Sequence, residues 1–138
     1  PPHLAASAKL VEQCPDTTFI LDHIGKPNIG KGDDGELKEW AKLIENLAAN
    51  QNVFCKVSGM VTEANWQDWK NDDFKRYFDV VLNSFGIDRI MYGSDWPVSK
   101  LAASYEQVAN LAEYLVADLS ESEKEKFWSK NAMNAYGI

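Results

Sequence analysis

Apolar positions along the chain switch repeatedly between two spacings. Leu4, Ala5, Ala8 and Val11 recur three and four residues apart and Pro15 ends the pattern, which predicts a helix over about 3–13. Thr17 to Leu21 is β-branched and apolar without polar alternation, as in a strand covered on both faces. A stretch rich in Gly, Pro, Asn and Asp from Gly25 to Gly35 then reads as a long loop. Leu37, Trp40, Ala41, Ile44, Leu47 and Ala48 return to helical spacing, so this segment buries one face.

The alternation continues. Val53 to Val57 is a second buried strand closed by Ser58-Gly59, and Phe74, Tyr77, Phe78, Val81, Leu82 and Phe85 mark the next helix, with Gly86 as its stop. Arg89 to Tyr92 is a third strand, followed by Gly93-Ser94-Asp95-Trp96-Pro97 and by a helical stripe at Tyr105, Val108, Leu111, Ala112 and Leu115. Ser120 with Glu123 three residues on is a capping box that opens a last helix through Phe127 and Trp128. The predicted order is α-β-α-β-α-β-α-α, with a helix after every strand: an α/β chain with a parallel sheet, read as one unit over residues 1–138. Pro1-Pro2-His3-Leu4 reads as a cut end and the chain as a fragment, because three strands are few for a free-standing parallel sheet.

Composition narrows the functions available. Apolar residues make up 45% of the 138 positions, enough for a packed core. A formal net charge of −7 with no basic stripe argues against nucleic acid and against anionic membranes as partners. No apolar run approaches the ~20 residues of a membrane-spanning helix. Cys14 and Cys55 stand apart without metal-ligand spacing, which fits a reducing, cytoplasmic compartment best, with a periplasmic one as the alternative. No dinucleotide fingerprint, phosphate-binding loop or serine-hydrolase elbow occurs.

Two residues stand where α/β proteins place their chemistry. His23 follows the first strand and Asp95 the third, so both lie at the C-terminal edge of the predicted sheet. Each alone reads equally well as a structural residue, His23 as a hydrogen-bonded imidazole and Asp95 as a turn residue; their shared edge favours a site. The pair could share a divalent metal, or Asp95 could act as the base for an attacking water. Lys56, inside a buried strand, points to a barrel interior or a salt bridge. Trp66 and Trp96 are candidates to stack on a sugar ring, whereas Trp69 reads at least as well as core.

The segments Phe19–Pro27 (with Asp-His-Ile-Gly-Lys-Pro), Lys56–Gly59, Phe85–Pro97 (with Gly-Ser-Asp-Trp-Pro) and Asn131–Gly137 together resemble the amidohydrolase-related, metal-dependent TIM-barrel hydrolases. That family includes sugar-acid lactonases and a pyrone-dicarboxylate lactonase. The resemblance implies that the chain is the C-terminal part, about three βα units, of a (β/α)₈ barrel, with its strands corresponding to the sixth to eighth. It implies Asp95 as general base and His23 as the group holding the scissile carbonyl, directly or through zinc, with Trp96, Trp66 and Lys56 at the substrate. It implies a small sugar-acid lactone or similar cyclic ester as substrate, and either one divalent metal or none. The His-x-His pair expected at the first strand is absent, since His3 and His23 are the only histidines. Two other readings stand beside this one: a decarboxylase of a small aromatic acid in the same superfamily, and a non-catalytic α/β ligand-binding module. A cut barrel would also expose strand edges and leave Phe19, Leu21, Phe54 and Met91 partly uncovered, favouring pairing with a second copy, and the 138 residues alone are expected to be catalytically inert.

Overall fold

The computed structural model describes residues 3–138; Pro1 and Pro2, at the end read from the sequence as cut, lie outside the described residues. The elements run α1 (Leu4–Gln13), β1 (Phe19–Leu21), α2 (Asp34–Ala48), β2 (Val53–Val57), α3 (Asn71–Phe85), β3 (Ile90–Tyr92), α4 (Tyr105–Leu115), α5 (Glu121–Glu125) and α6 (Asn131–Tyr136). A π-helical turn, Lys126–Lys130, joins α5 to α6. Among the described residues no helix is long and apolar enough to cross a membrane.

The sheet has the order β1-β2-β3, with both neighbouring pairs parallel. Its register aligns Ile20 with Phe54 and Lys56 with Met91. Because strand side chains alternate, Val53, Cys55, Val57 and Ile90 share one face and Ile20, Phe54, Lys56 and Met91 the other. The first face carries the core. It packs on Trp40, Ile44 and Leu47 of α2, Phe74, Tyr77, Phe78 and Val81 of α3, and Leu111 and Leu115 of α4. Trp40 and Tyr77 meet with ring centroids 5.4 Å apart, and Phe127 from the π turn packs edge-on against Phe78 at 6.2 Å.

Local chemistry sets the boundaries. The Asp33 side chain accepts from the Glu36 amide at 2.8 Å, which starts α2 one residue before Gly35 and shortens the predicted loop. Ser120 donates its amide to Glu123 Oε2 at 2.8 Å, as the capping box requires. β1 is shorter than the apolar run that predicts it: Thr17 and Thr18 precede the ladder, and the Thr17 carbonyl accepts instead from the Asn52 side chain at 2.9 Å. β3 likewise begins at Ile90 and not at Arg89, because Arg89 lies in a short 3₁₀ turn and turns its guanidinium onto main-chain carbonyls.

The second face departs from expectation. Phe19 and Leu21 are half-buried and lie on the helix-packed side, while Phe54 and Met91, on the opposite side, are only 9% and 1% exposed. The chain end also reaches this face. α6 packs on β3 and brings the Tyr136 ring to 5.8 Å from Lys56 Nζ on that same face. Cys55, in the central strand, is wholly buried, and burial pushes its thiol pKa far up, with Asp22 adding to the shift; Cys14 is half-exposed.

Candidate active site

All three strands deliver a polar side chain to one edge. Past Leu21 the chain enters a tight turn, Asp22–Gly25, in which His23 (φ 55°, ψ 37°) and Ile24 (φ 47°, ψ 24°) are left-handed, followed by Lys26 at φ 53°. For residues other than glycine each such conformation costs on the order of 1–3 kcal/mol, so neighbouring contacts must hold the turn in place. They are visible. Ile24 is fully buried, its carbonyl accepts from Trp40 Nε1 at 3.0 Å, and Asp22 Oδ1 accepts from Lys56 Nζ at 2.7 Å. Asp95, beyond β3, is left-handed as well, at φ 55°.

The His23 side chain is 29% exposed and that of Asp95 10%, with His23 Nε2 3.8 Å from Asp95 Oδ1. That separation is too long for a direct hydrogen bond, and it leaves the two side chains facing one another at the edge of the sheet. The other ring nitrogen, Nδ1, is hydrogen-bonded at 2.9 Å to Ser58 Oγ, just past the end of β2. Backbone space around the ring is fully used. A Cβ on Gly59 (φ 60°) would stand 2.7 Å from His23 Nδ1, and one on Gly93 would stand 2.8 Å from Lys56 Cδ and 2.9 Å from Ser58 Cβ.

Lys56 reaches the same edge from the face opposite the helices. Burial works against its charge, but hydrogen bonds to Asp22 and then to Tyr136 outweigh it and hold the ammonium pKa above its usual value. Next to Gly93, burial pushes the Tyr92 phenol up to about 12, with Tyr105 assisting. The Tyr92 hydroxyl is shut away from water, and its approach to Tyr105 falls short of a proper hydrogen bond. An apolar cavity between β2, β3 and α4 is lined by Ser58, Gly59, Tyr92, Gly93, Val108 and Leu111. Neither His23 nor Asp95 forms its walls, so it is a packing gap beside the site.

Of the residues singled out in the sequence, the fold therefore brings His23 and Asp95 together. Lys56 joins Asp22 instead, one residue before His23. Trp96 is 64% exposed beside Asp95, and Trp66, 49% exposed, donates its indole N–H to its own Thr62 carbonyl at 2.8 Å. Trp69 is half-buried against the core, edge-on to Phe74 and donating to the Ala102 carbonyl at 3.1 Å. Sequence reasoning missed Ser58 as a partner of His23 and Asp22 as the partner of Lys56. The signal for Ser58 was its place at the C-terminal end of a strand, two residues beyond Lys56 and hence on the same face.

Two left-handed turns holding a histidine and an aspartate at one edge of a parallel sheet meet a family match that runs over residues 1–138, to the amidohydrolase family. The chain belongs to that family. Among relatives of this amidohydrolase chain, an L-fucono-1,5-lactonase of Burkholderia multivorans is 40% identical over 127 residues, which cover 87% of this chain and 43% of that protein. A 2-pyrone-4,6-dicarboxylate hydrolase of Comamonas testosteroni is 33% identical over 87 residues, covering 59% of this chain and 28% of its own length. The crystal structure of a Burkholderia multivorans amidohydrolase with bound zinc superposes with a TM-score of 0.93 at 36% identity, over 99% of this chain and 50% of that one. The chain thus spans about half the length of the relatives it matches, and its three βα units are part of a TIM-barrel architecture.

Proposed function

We propose that the chain carries the His23–Asp95 part of an active site that opens a small sugar-acid lactone or a similar cyclic ester. The observation that carries this reading is the 3.8 Å approach of His23 Nε2 to Asp95 Oδ1 at the C-terminal edge of the sheet. Asp95 takes a proton from water as the water oxygen attacks the lactone carbonyl carbon. His23 steadies the oxygen that becomes negative in the tetrahedral intermediate. The intermediate collapses, the bond from carbon to the ring oxygen breaks, and Asp95 returns its proton to that oxygen, leaving the open hydroxy acid. Trp96 offers an exposed aromatic face for the sugar ring, with Trp66 further along the same edge. Lys56, whose ammonium has three donors and spends one on Asp22 and one on Tyr136, supplies a cation beside the substrate.

The metal reading is narrower. A catalytic zinc takes three protein ligands, and the described residues contain no cluster of three or more His, Cys, Asp and Glu side chains able to hold one. His23 and Asp95 would be two of its ligands, and the rest would come from outside these 138 residues. A metal bound there would polarise the lactone carbonyl and make the attacking water more acidic.

Hydrolysis of L-fucono-1,5-lactone by a full-length protein carrying these 138 residues tests the proposal, with Asp95→Asn as the variant. Loss of a positioned general base should lower kcat by about 100-fold or more. Turnover within a few-fold of the parent would remove Asp95 from the reaction.

A further inference from the structure

We propose that Ser58 is a positioning residue that fixes the tautomer of His23, donating its hydroxyl hydrogen to Nδ1 so that the ring's one N–H lies on Nε2 and faces the open site. The inference rests on the reading of His23 as a functional residue. It adds which atom of the imidazole carries the proton and which side chain decides it.

The geometry points this way from three sides. Ser58 is 4% exposed, and its hydroxyl lies 2.9 Å from Nδ1, so bulk water does not compete for it. The ring has no slack, because Gly59 leaves it a space that a single added carbon would close to 2.7 Å, and Gly93 does the same for Ser58 and Lys56. The main chain before the ring is tied down by Lys56 on Asp22. One short stretch of chain, Lys56 to Gly59, therefore grips both His23 and the residue before it.

Proton placement follows from the opposite nitrogen. Asp95 is a carboxylate that only accepts hydrogen bonds, and its Oδ1 is 3.8 Å from Nε2. A hydrogen on Nε2 is attracted to that oxygen, whereas a lone pair there is repelled. With the proton on Nε2, Nδ1 has a lone pair, and the hydroxyl of Ser58 must be the donor. In this state, with no metal on the ring, Nε2–H faces the side where a carbonyl oxygen gaining negative charge would sit, a role an imidazole proton on Nδ1 could not fill; a metal taken up at Nε2 would displace that proton and leave Ser58 the donor to Nδ1. Removing the Ser58 hydroxyl leaves Nδ1 without its donor and frees the proton to choose either nitrogen.

The test is nitrogen NMR on protein labelled at histidine, at a pH where the ring is neutral. Only His3 and His23 contribute, so assignment is direct. In the parent, His23 should show the Nε2-protonated tautomer in roughly 10-fold excess, the bias one such hydrogen bond supports, and Ser58→Ala should reduce the ratio to about 2-fold with other amide signals unmoved. Ser58→Cys, close in size and a weaker donor, should fall between, and it decides the matter if the alanine variant fails to fold. A parent with the proton on Nδ1, or a ratio unchanged in both variants, overturns the proposal. In lactone turnover Ser58→Ala should lower kcat about 10-fold while KM stays within about 2-fold. Absence of lactone turnover in the full-length parent and its variants alike, with the tautomer result intact, would sink the proposed reaction and leave the role of Ser58 standing.

Discussion

Gly59 shows how a single hydrogen atom in place of a side chain shapes the candidate site. Its φ of 60° is a conformation that costs an alanine about 1–2 kcal/mol, and the added methyl would lie 2.7 Å from His23 Nδ1. Gly59→Ala should therefore lower stability by about 2 kcal/mol or more, read as an earlier midpoint in urea, and displace the imidazole. An unchanged midpoint would mean that the ring is free to move aside. The same contacts mark the limit of what the sequence reveals. His23 and Asp95 could be found from their position after apolar strands, because strand ends in a parallel sheet converge on one edge. The hydrogen bond between Ser58 and His23 could not, since it depends on the left-handed backbone at His23, and nothing in His-Ile-Gly-Lys announces three non-glycine residues at positive φ.

Among the elements, α2 depends on a residue far from it in sequence. Arg89 Nη2 donates to the Ala48 carbonyl at 2.9 Å, and Nη1 donates to the Asn50 carbonyl at 2.9 Å and the Val53 carbonyl at 3.2 Å. The planar guanidinium thus closes the carboxyl end of α2 and ties it to the start of β2, with the Phe85 ring 5.4 Å from its centre. Arg89→Ala should cost about 2–3 kcal/mol, and Arg89→Lys should recover less than half of that because one ammonium cannot span three diverging carbonyls. Equal thermal stability of the lysine variant and the parent would argue against the fork geometry. Helices were the most legible elements here: most of the stripe residues in α2, α3 and α4 are buried, with Leu37, Ala41 and Leu82 half-buried at the edges and Tyr105, at the start of α4, exposed. Strand ends were less so, since Thr17, Thr18 and Arg89 have strand-like sequence but satisfy their backbone or side chains outside the ladder.

For the molecule as a whole, the parallel sheet makes the central strand the last to see solvent, as β1 and β3 each have one neighbour among the described residues and β2 has two. The part-barrel reading came from sequence motifs, and the coverage of about half of each relative supports it. What the motifs did not reveal is that Phe54 and Met91 are buried on the second face, which the chain end reaches through Tyr136. Cys55 sits in the middle of β2, with no exposed surface and a pKa raised by burial, while Cys14 at the end of α1 is half-exposed. The chain therefore carries a built-in stopwatch. An alkylating reagent should modify Cys14 at once and reach Cys55 only when the sheet opens, because the reactive thiolate forms only in solvent. The slow phase of labelling, followed by mass spectrometry, would then time the opening of the whole core without any added probe. Two fast phases of similar rate would show that the central strand is exposed in solution.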